Sequence, residues 1–115
     1  MADTIRTLID VKINIFRDIS SLDPQKIAEE LIELSSLWAS IQKELIDRKC
    51  WYMELRKKLL VEHGKANIAT IYAEASPEYK DVLTAESYSK AVQEMIRTGK
   101  YYIRIAQSAQ RESVY

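Results

Sequence analysis

Residues 24–62 read PQKIAEELIELSSLWASIQKELIDRKCWYMELRKKLLVE. Apolar residues in this stretch step four, three, four, three and four through Ile27, Leu31, Leu34, Trp38, Ile41 and Leu45, and the step resumes at Tyr52, Leu55 and Leu59. A spacing that averages 3.5 residues is a heptad seam on one long helix. One seam row holds Leu31, Trp38, Leu45, Tyr52 and Leu59. The other holds Ile27, Leu34, Ile41, Arg48, Leu55 and Glu62, with Arg48 as an interruption. A further apolar row, Ile32, Ala39, Ile46, Met53 and Leu60, lies on a different side of the helix. Between the two faces runs a more polar line of Ala28, Ser35, Gln42, Lys49, Arg56 and His63. One partner helix cannot cover both faces, so the helix is expected to touch two neighbours, in a bundle or an oligomer.

The helix has a defined start. Asp23 offers a carboxylate to the free amides of the first turn, and Pro24 at the first helical position has no N–H to leave unpaired. Gly64 weakens or ends it. Residues 64–76 keep partial helical character and read as a kinked continuation or a short separate helix. Ser76, Pro77 and Glu78 then repeat the start signal. A second seam runs through Ala85, Tyr88, Val92, Met95, Gly99, Tyr102, Ala106 and Ala109. Gly99 costs about 1 kcal/mol in a helix interior relative to Ala, so it is expected to mark a close crossing or a bend. Trp38, Tyr52, Tyr88 and Tyr102 occupy seam positions and are expected in the core.

Charge decides how the two long helices pair. Residues 23–47 carry Asp23, Glu29, Glu30, Glu33, Glu44 and Asp47 against two lysines, while residues 48–65 carry Arg48, Lys49, Arg56, Lys57, Lys58 and Lys65 against two acids. Residues 74–94 are acidic again, and residues 97–111 carry Arg97, Lys100, Arg104 and Arg111 with no acid. An antiparallel hairpin sets opposite signs together at both ends, whereas a parallel pair aligns like with like. Each exposed pair contributes only about 0–1 kcal/mol, so the pattern selects orientation more than it stabilises. The expected fold is all-α: a long antiparallel helical hairpin over residues 23–115, preceded by a docking segment at 1–22, and bundled by self-association. In that segment Ile5, Leu8, Ile9, Ile13 and Phe16 suit one helical face, while Val11 to Ile15 alternates like a strand. The absence of a partner strand elsewhere favours a short helix, which leaves Ile and Phe open unless it docks.

The 115 residues suit one domain, and two glycines and two prolines leave little punctuation between long helices. Seventeen basic and seventeen acidic residues balance, which removes any bulk pull towards nucleic acid or membrane. Cys50 is the single cysteine, so no internal disulfide forms, and a reducing compartment fits. Asp3 and Asp10 break any apolar leader, so no signal peptide is expected. No run of about 18 apolar residues is present to span a membrane. A cytoplasmic protein follows as the expectation.

Catalytic chemistry has no foothold. His63, the one histidine, lies thirteen positions from Cys50 on the same helix, too far for a compact nucleophilic dyad. Glu29, Glu30 and Glu33 have no histidine at helical spacing to build a di-metal site. No glycine-rich phosphate loop occurs. No enzyme activity, cofactor or metal is expected.

Two basic groups remain. Lys90, Arg97, Arg104 and Arg111 recur every seventh residue, with Lys100 and Tyr101 on adjoining rows. Cations replace counterions along phosphates and rings stack on bases, which is what a single-stranded nucleic acid surface needs. The alternative is a solvated face partly neutralised by Glu29, Glu30 and Glu33 across the hairpin. Arg48, Lys49, Arg56, Lys57, Lys58 and Lys65 form the second, denser group, open to both readings. Ile32, Ile46, Met53 and Leu60, with Trp51 as an anchor outside the rows, are the candidate oligomer interface.

This layout resembles the UvsY-like recombination mediators and related small helical proteins of bacteriophage recombination regions. The likeness lies in Leu22-Asp23-Pro24, Glu30-Leu31, Leu37-Trp38 and Leu55-Arg56-Lys57-Lys58-Leu59, then Pro77, Tyr79-Lys80, Lys100, Ile103-Arg104 and Arg111. It covers roughly residues 22–112, and Gly64-Lys65 only loosely echoes the family's glycine-containing basic turn. The resemblance implies an oligomer that binds single-stranded DNA and a recombinase, and helps load the recombinase on DNA coated by a single-strand-binding protein in the host cytoplasm. A reading of another class is a protein-interaction module, such as a phage inhibitor or assembly adaptor, that docks through residues 5–22 and ignores nucleic acid.

Overall fold

Both long helices begin on the caps that their sequences specify. Asp23 Oδ1 accepts the Lys26 N–H at 2.8 Å, and Ser76 Oγ accepts the Tyr79 N–H at 3.2 Å. A computed structural model of the protein describes the backbone of residues 2–114 and the side chains of residues 4–111. The elements are α1 (Ala2–Phe16), a 3₁₀ turn (Ile19–Ser21), α2 (Pro24–His63), α3 (Ala66–Glu74) and α4 (Pro77–Val114). No strand occurs among the described residues.

Gly64 ends α2. Its φ of +71° is open to a residue without Cβ, and its N–H closes the last turn on Leu60 O at 2.8 Å. Lys65 is extended, so α3 is a separate helix and not a continuation of α2. The N-terminal segment is helical, as its one-sided Ile and Phe spacing favours.

α2 and α4 pack against each other as a hairpin. Contacts divide the chain into two compact units: residues up to Ser40 together with those from Lys90 onward, and Ile41–Ser89.

In the unit of Ile41–Ser89, Leu45, Val82 and Ala85 form the buried cluster, with Tyr52 packed on it. The Tyr52 and Tyr79 rings lie 5.2 Å apart. Gln42 donates to Ser89 Oγ, and Arg48 reaches Asp81 at 3.4 Å. Residue numbers rise on α2 as they fall on α4, so the helices are antiparallel. Arg48–Asp81 and Lys49–Glu86 (3.7 Å) are basic-to-acidic pairs of the kind that the charge blocks select.

In the other unit Ile27 and Leu34 are buried, as are Val92 and Met95. Gly99 is the predicted close crossing: a Cβ there would lie 2.7 Å from Leu31 Cδ2 and 3.4 Å from Ile27 Cγ2. α1 is part of this unit, so Ile9, Phe16 and Ile19 are buried within the chain. The Ile and Phe side chains that the interaction-module reading offers to a partner are therefore largely covered already, although Leu8 and Val11 stay exposed.

One further expectation is corrected. Trp38 is 37% exposed and not a core residue, because Gln93, Arg97 and Lys100 stand beside Ile96 around it and do not close over the ring. Glu30 and Glu33, two of the acids that the solvated-face reading sets against the α4 row, pair with lysines of α1 and α2. Lys12 of α1 takes Glu30 at 2.6 Å and also pairs with Glu33, while Lys26 takes the other Glu30 oxygen at 3.0 Å.

Candidate nucleic-acid interface

α4 beyond Lys90 carries a basic stripe on the side away from its core. Val92, Met95 and Gly99 turn inward. Arg97, Lys100, Arg104 and Arg111 follow at steps of three, four and seven, and all are exposed. Successive heptad positions stand about 10.5 Å apart along the axis. Arg97 pairs with Glu94 of its own helix at 2.8 Å, an exposed contact of small energetic worth. Lys100, Arg104 and Arg111 make no ion pair with another described residue.

Aromatic groups border the stripe on both flanks. On one side Trp38, Gln93, Ile96, Arg97 and Lys100 line a shallow hollow. On the other, Tyr101, Arg104, Ile105, Ser108 and Ala109 line a second. Tyr101 is exposed and meets the Tyr102 ring edge-on, with centroids 5.9 Å apart. The partial exposure of Trp38 that departs from the seam pattern is what makes its ring a flank of this surface. Its neighbours Arg97 and Lys100 are far away in sequence, so spacing along α2 gives no sign of the arrangement.

Glu30 and Glu33 of α2 are held by a charge cluster. Burial on its own pushes the Lys12 ammonium towards its neutral form, but hydrogen bonds and charge from Glu30 and Glu33 outweigh this and raise it above its ordinary 10.5. Burial likewise favours a neutral Glu30, yet Lys12 and Lys26 outweigh it and hold the carboxyl below its ordinary 4.5. Lys26 is raised by its hydrogen bond to Glu30 and by the charge of that carboxylate. The cluster fastens α1 to α2 and occupies Glu30 and Glu33.

The second basic group is distributed differently. Arg48 is half-buried, paired with Asp81 and Glu44, with its guanidinium 4.8 Å from the Trp51 ring centroid. Lys49 pairs with Glu86. Arg56 donates to Thr70 Oγ1 of α3 at 3.3 Å. Lys57, Lys58 and Lys65 are exposed. Arg48 and Lys49 thus take part in holding the hairpin, and Trp51 lies under Arg48, on a different side of α2 from Ile46, Met53 and Leu60. His63 stacks on Tyr72 at 4.7 Å, and Cys50 is exposed.

The third apolar row of α2 is largely exposed among the described residues. Ile32 is 74% and Ile46 60% exposed, and Met53 and Leu60 are about half exposed. Met53 and Leu60, with Ala66 and Ala69, floor a groove of about 190 Å³ edged by Arg56 and Lys57. Among the described residues no helix is long and apolar enough to cross a membrane. Comparison of the chain with protein families, curated proteins and solved structures finds no match.

Proposed function

We propose that this chain is a non-enzymatic, self-associating helical protein that binds single-stranded nucleic acid along the α4 stripe. The observation that supports this most is the pairing of exposed cations with exposed rings: Arg97, Lys100, Arg104 and Arg111 between Trp38 and Tyr101. Phosphates are drawn to the cations by counterion release, and bases stack on the flanking rings without sequence preference. Self-association is motivated by the uncovered row of Ile32, Ile46, Met53 and Leu60. The narrower role, loading a recombinase on single strands coated by a single-strand-binding protein in the cytoplasm of a phage-infected cell, rests on the resemblance alone.

Fluorescence anisotropy with a labelled single-stranded oligonucleotide tests the reading. Four phosphate contacts give a slope of about −2.8 in log K against log salt, or roughly a 50-fold loss between 50 and 200 mM. Arg97→Glu with Arg104→Glu is expected to halve that slope at least. No binding at low salt rejects the nucleic-acid role and favours a protein-interaction module.

A further inference from the structure

The bare row of α2 is close to palindromic in both shape and charge. Take two copies of α2 running in opposite directions, with Ile46 of one facing Ile46 of the other. The same register sets Ile32 against Leu60 and Ala39 against Met53, twice over. It also sets the acidic half of one helix on the basic half of the other, because the sign of the charge changes between Asp47 and Arg48, next to the centre. Glu33 of one copy then lies on the turn that meets Lys57 and Lys58 of the other. A parallel pairing in register would stack like charges along the whole row.

We propose that two copies of this chain pair antiparallel through α2, about a two-fold axis at Ile46, with Ile32 of each copy seated in the groove beside Leu60 of the other. The proposal rests on the self-association in the reading above and assigns its partner, register and face. The groove suits that occupant. Its floor is apolar (Met53, Leu60, Ala66 and Ala69), its rim is basic, and it is about 190 Å³ in volume. The segment that arrives carries Ile32 and Ala39 with the small Ser35 and Ser36, so the helices approach closely. Such an interface is isologous and closes on itself, with each residue pair occurring twice. A straight helix drifts about 20° per heptad relative to this row, so contact is tightest at the axis and the pair winds gently left-handed along its length. The arrangement also separates two roles. Arg56 and Lys57 meet the acidic half of a second copy, while the α4 stripe stays open.

The experiment uses the intact chain, with the axis as its target. Ile46 is largely exposed, so Ile46→Lys and Ile46→Glu are expected to keep the native helical content by circular dichroism. Each alone places two like charges on the axis, and light scattering should give the mass of one chain. An equimolar mixture pairs lysine with glutamate and should recover the mass of two. In a second arm, Lys43→Cys joins the native Cys50. The two lie seven residues apart on one helix, too distant for a bridge within a chain. In the proposed register residue 43 meets residue 50 of the other copy, so mild oxidation should give a covalent dimer that the native protein does not form. A native chain that scatters as one copy overturns both this pairing and the self-association in the proposed function. A native dimer whose charged variants fail to recover on mixing, or one that oxidises through Cys50 alone, overturns the register and leaves self-association standing.

Discussion

Leu34 and Ile41 are completely buried, while Ile32 and Ile46, on the same helix, are 74% and 60% exposed. All four are large aliphatic residues on heptad rows, and hydrophobicity alone does not separate them. What separates them is what faces each row. Leu34 and Ile41 stand on the seam that packs on α4. The row of Ile32 and Ile46 lies on another side of α2, where the described residues leave it largely exposed. A helix with two apolar faces therefore uses one for its own fold and leaves the other largely exposed.

The sharpest way to break this comparison is to truncate both rows. Ile41→Ala removes fully buried methyl groups and leaves a cavity, and is expected to cost about 4 kcal/mol by urea denaturation. Ile46→Ala at low protein concentration should cost under about 0.5 kcal/mol. Equal losses would show that the second row is covered within one chain after all.

The next largest effect concerns the buried charge that fixes α1. Glu30→Ala leaves Lys12 buried without its buried partner and is expected to cost about 3 kcal/mol. The pair also sets a pH window. Glu30 is lowered from 4.5 by its lysines, so its contribution is full above that value and is lost as pH falls through the lower folded value. Lys12 is raised from 10.5, so its contribution is full below that value and is lost as pH climbs through the higher folded value. Thermal melts across pH should therefore show a plateau between the two, and Glu30→Ala should flatten its acid edge.

Gly99 sharpens the account at the crossing. Gly99→Leu must displace Leu31 and is expected to cost about 2 kcal/mol. Gly99→Ala gains about 1 kcal/mol of helix propensity against a clash with the flexible end of Leu31, and should change the melting midpoint little. The smallest effect is expected at Ile32→Ser, which should leave monomer stability within about 0.5 kcal/mol of native while weakening association.

Much of the fold was legible in local pattern. Asp23-Pro24 and Ser76-Pro77 mark the two long helices because caps are short-range chemistry. The opposed charge blocks choose the antiparallel hairpin, and Gly99 announces the crossing because an interior glycine needs a reason. The placement of α1 was not legible. Lys12 and Glu30 are 18 positions apart, and Lys12 is a cation on the apolar row of Ile5, Ile9 and Phe16, so periodicity alone does not name its buried partner. Trp38 escaped for a related reason. Its seam position predicts burial, but its cover depends on Gln93, Arg97 and Lys100 of another helix. The candidate nucleic-acid surface was half visible, since a heptad of cations is a sequence pattern and the ring beside it is a product of packing.

Light scattering on the native chain, repeated with Ile32→Asp, tests most directly whether α2 reserves one face for its own core and the other for a second copy. The native protein is expected to have the mass of two chains, and Ile32→Asp the mass of one with its helical content intact. Two native chains that remain paired when Ile32 is charged, or a native protein that is a single chain at every concentration, would contradict it.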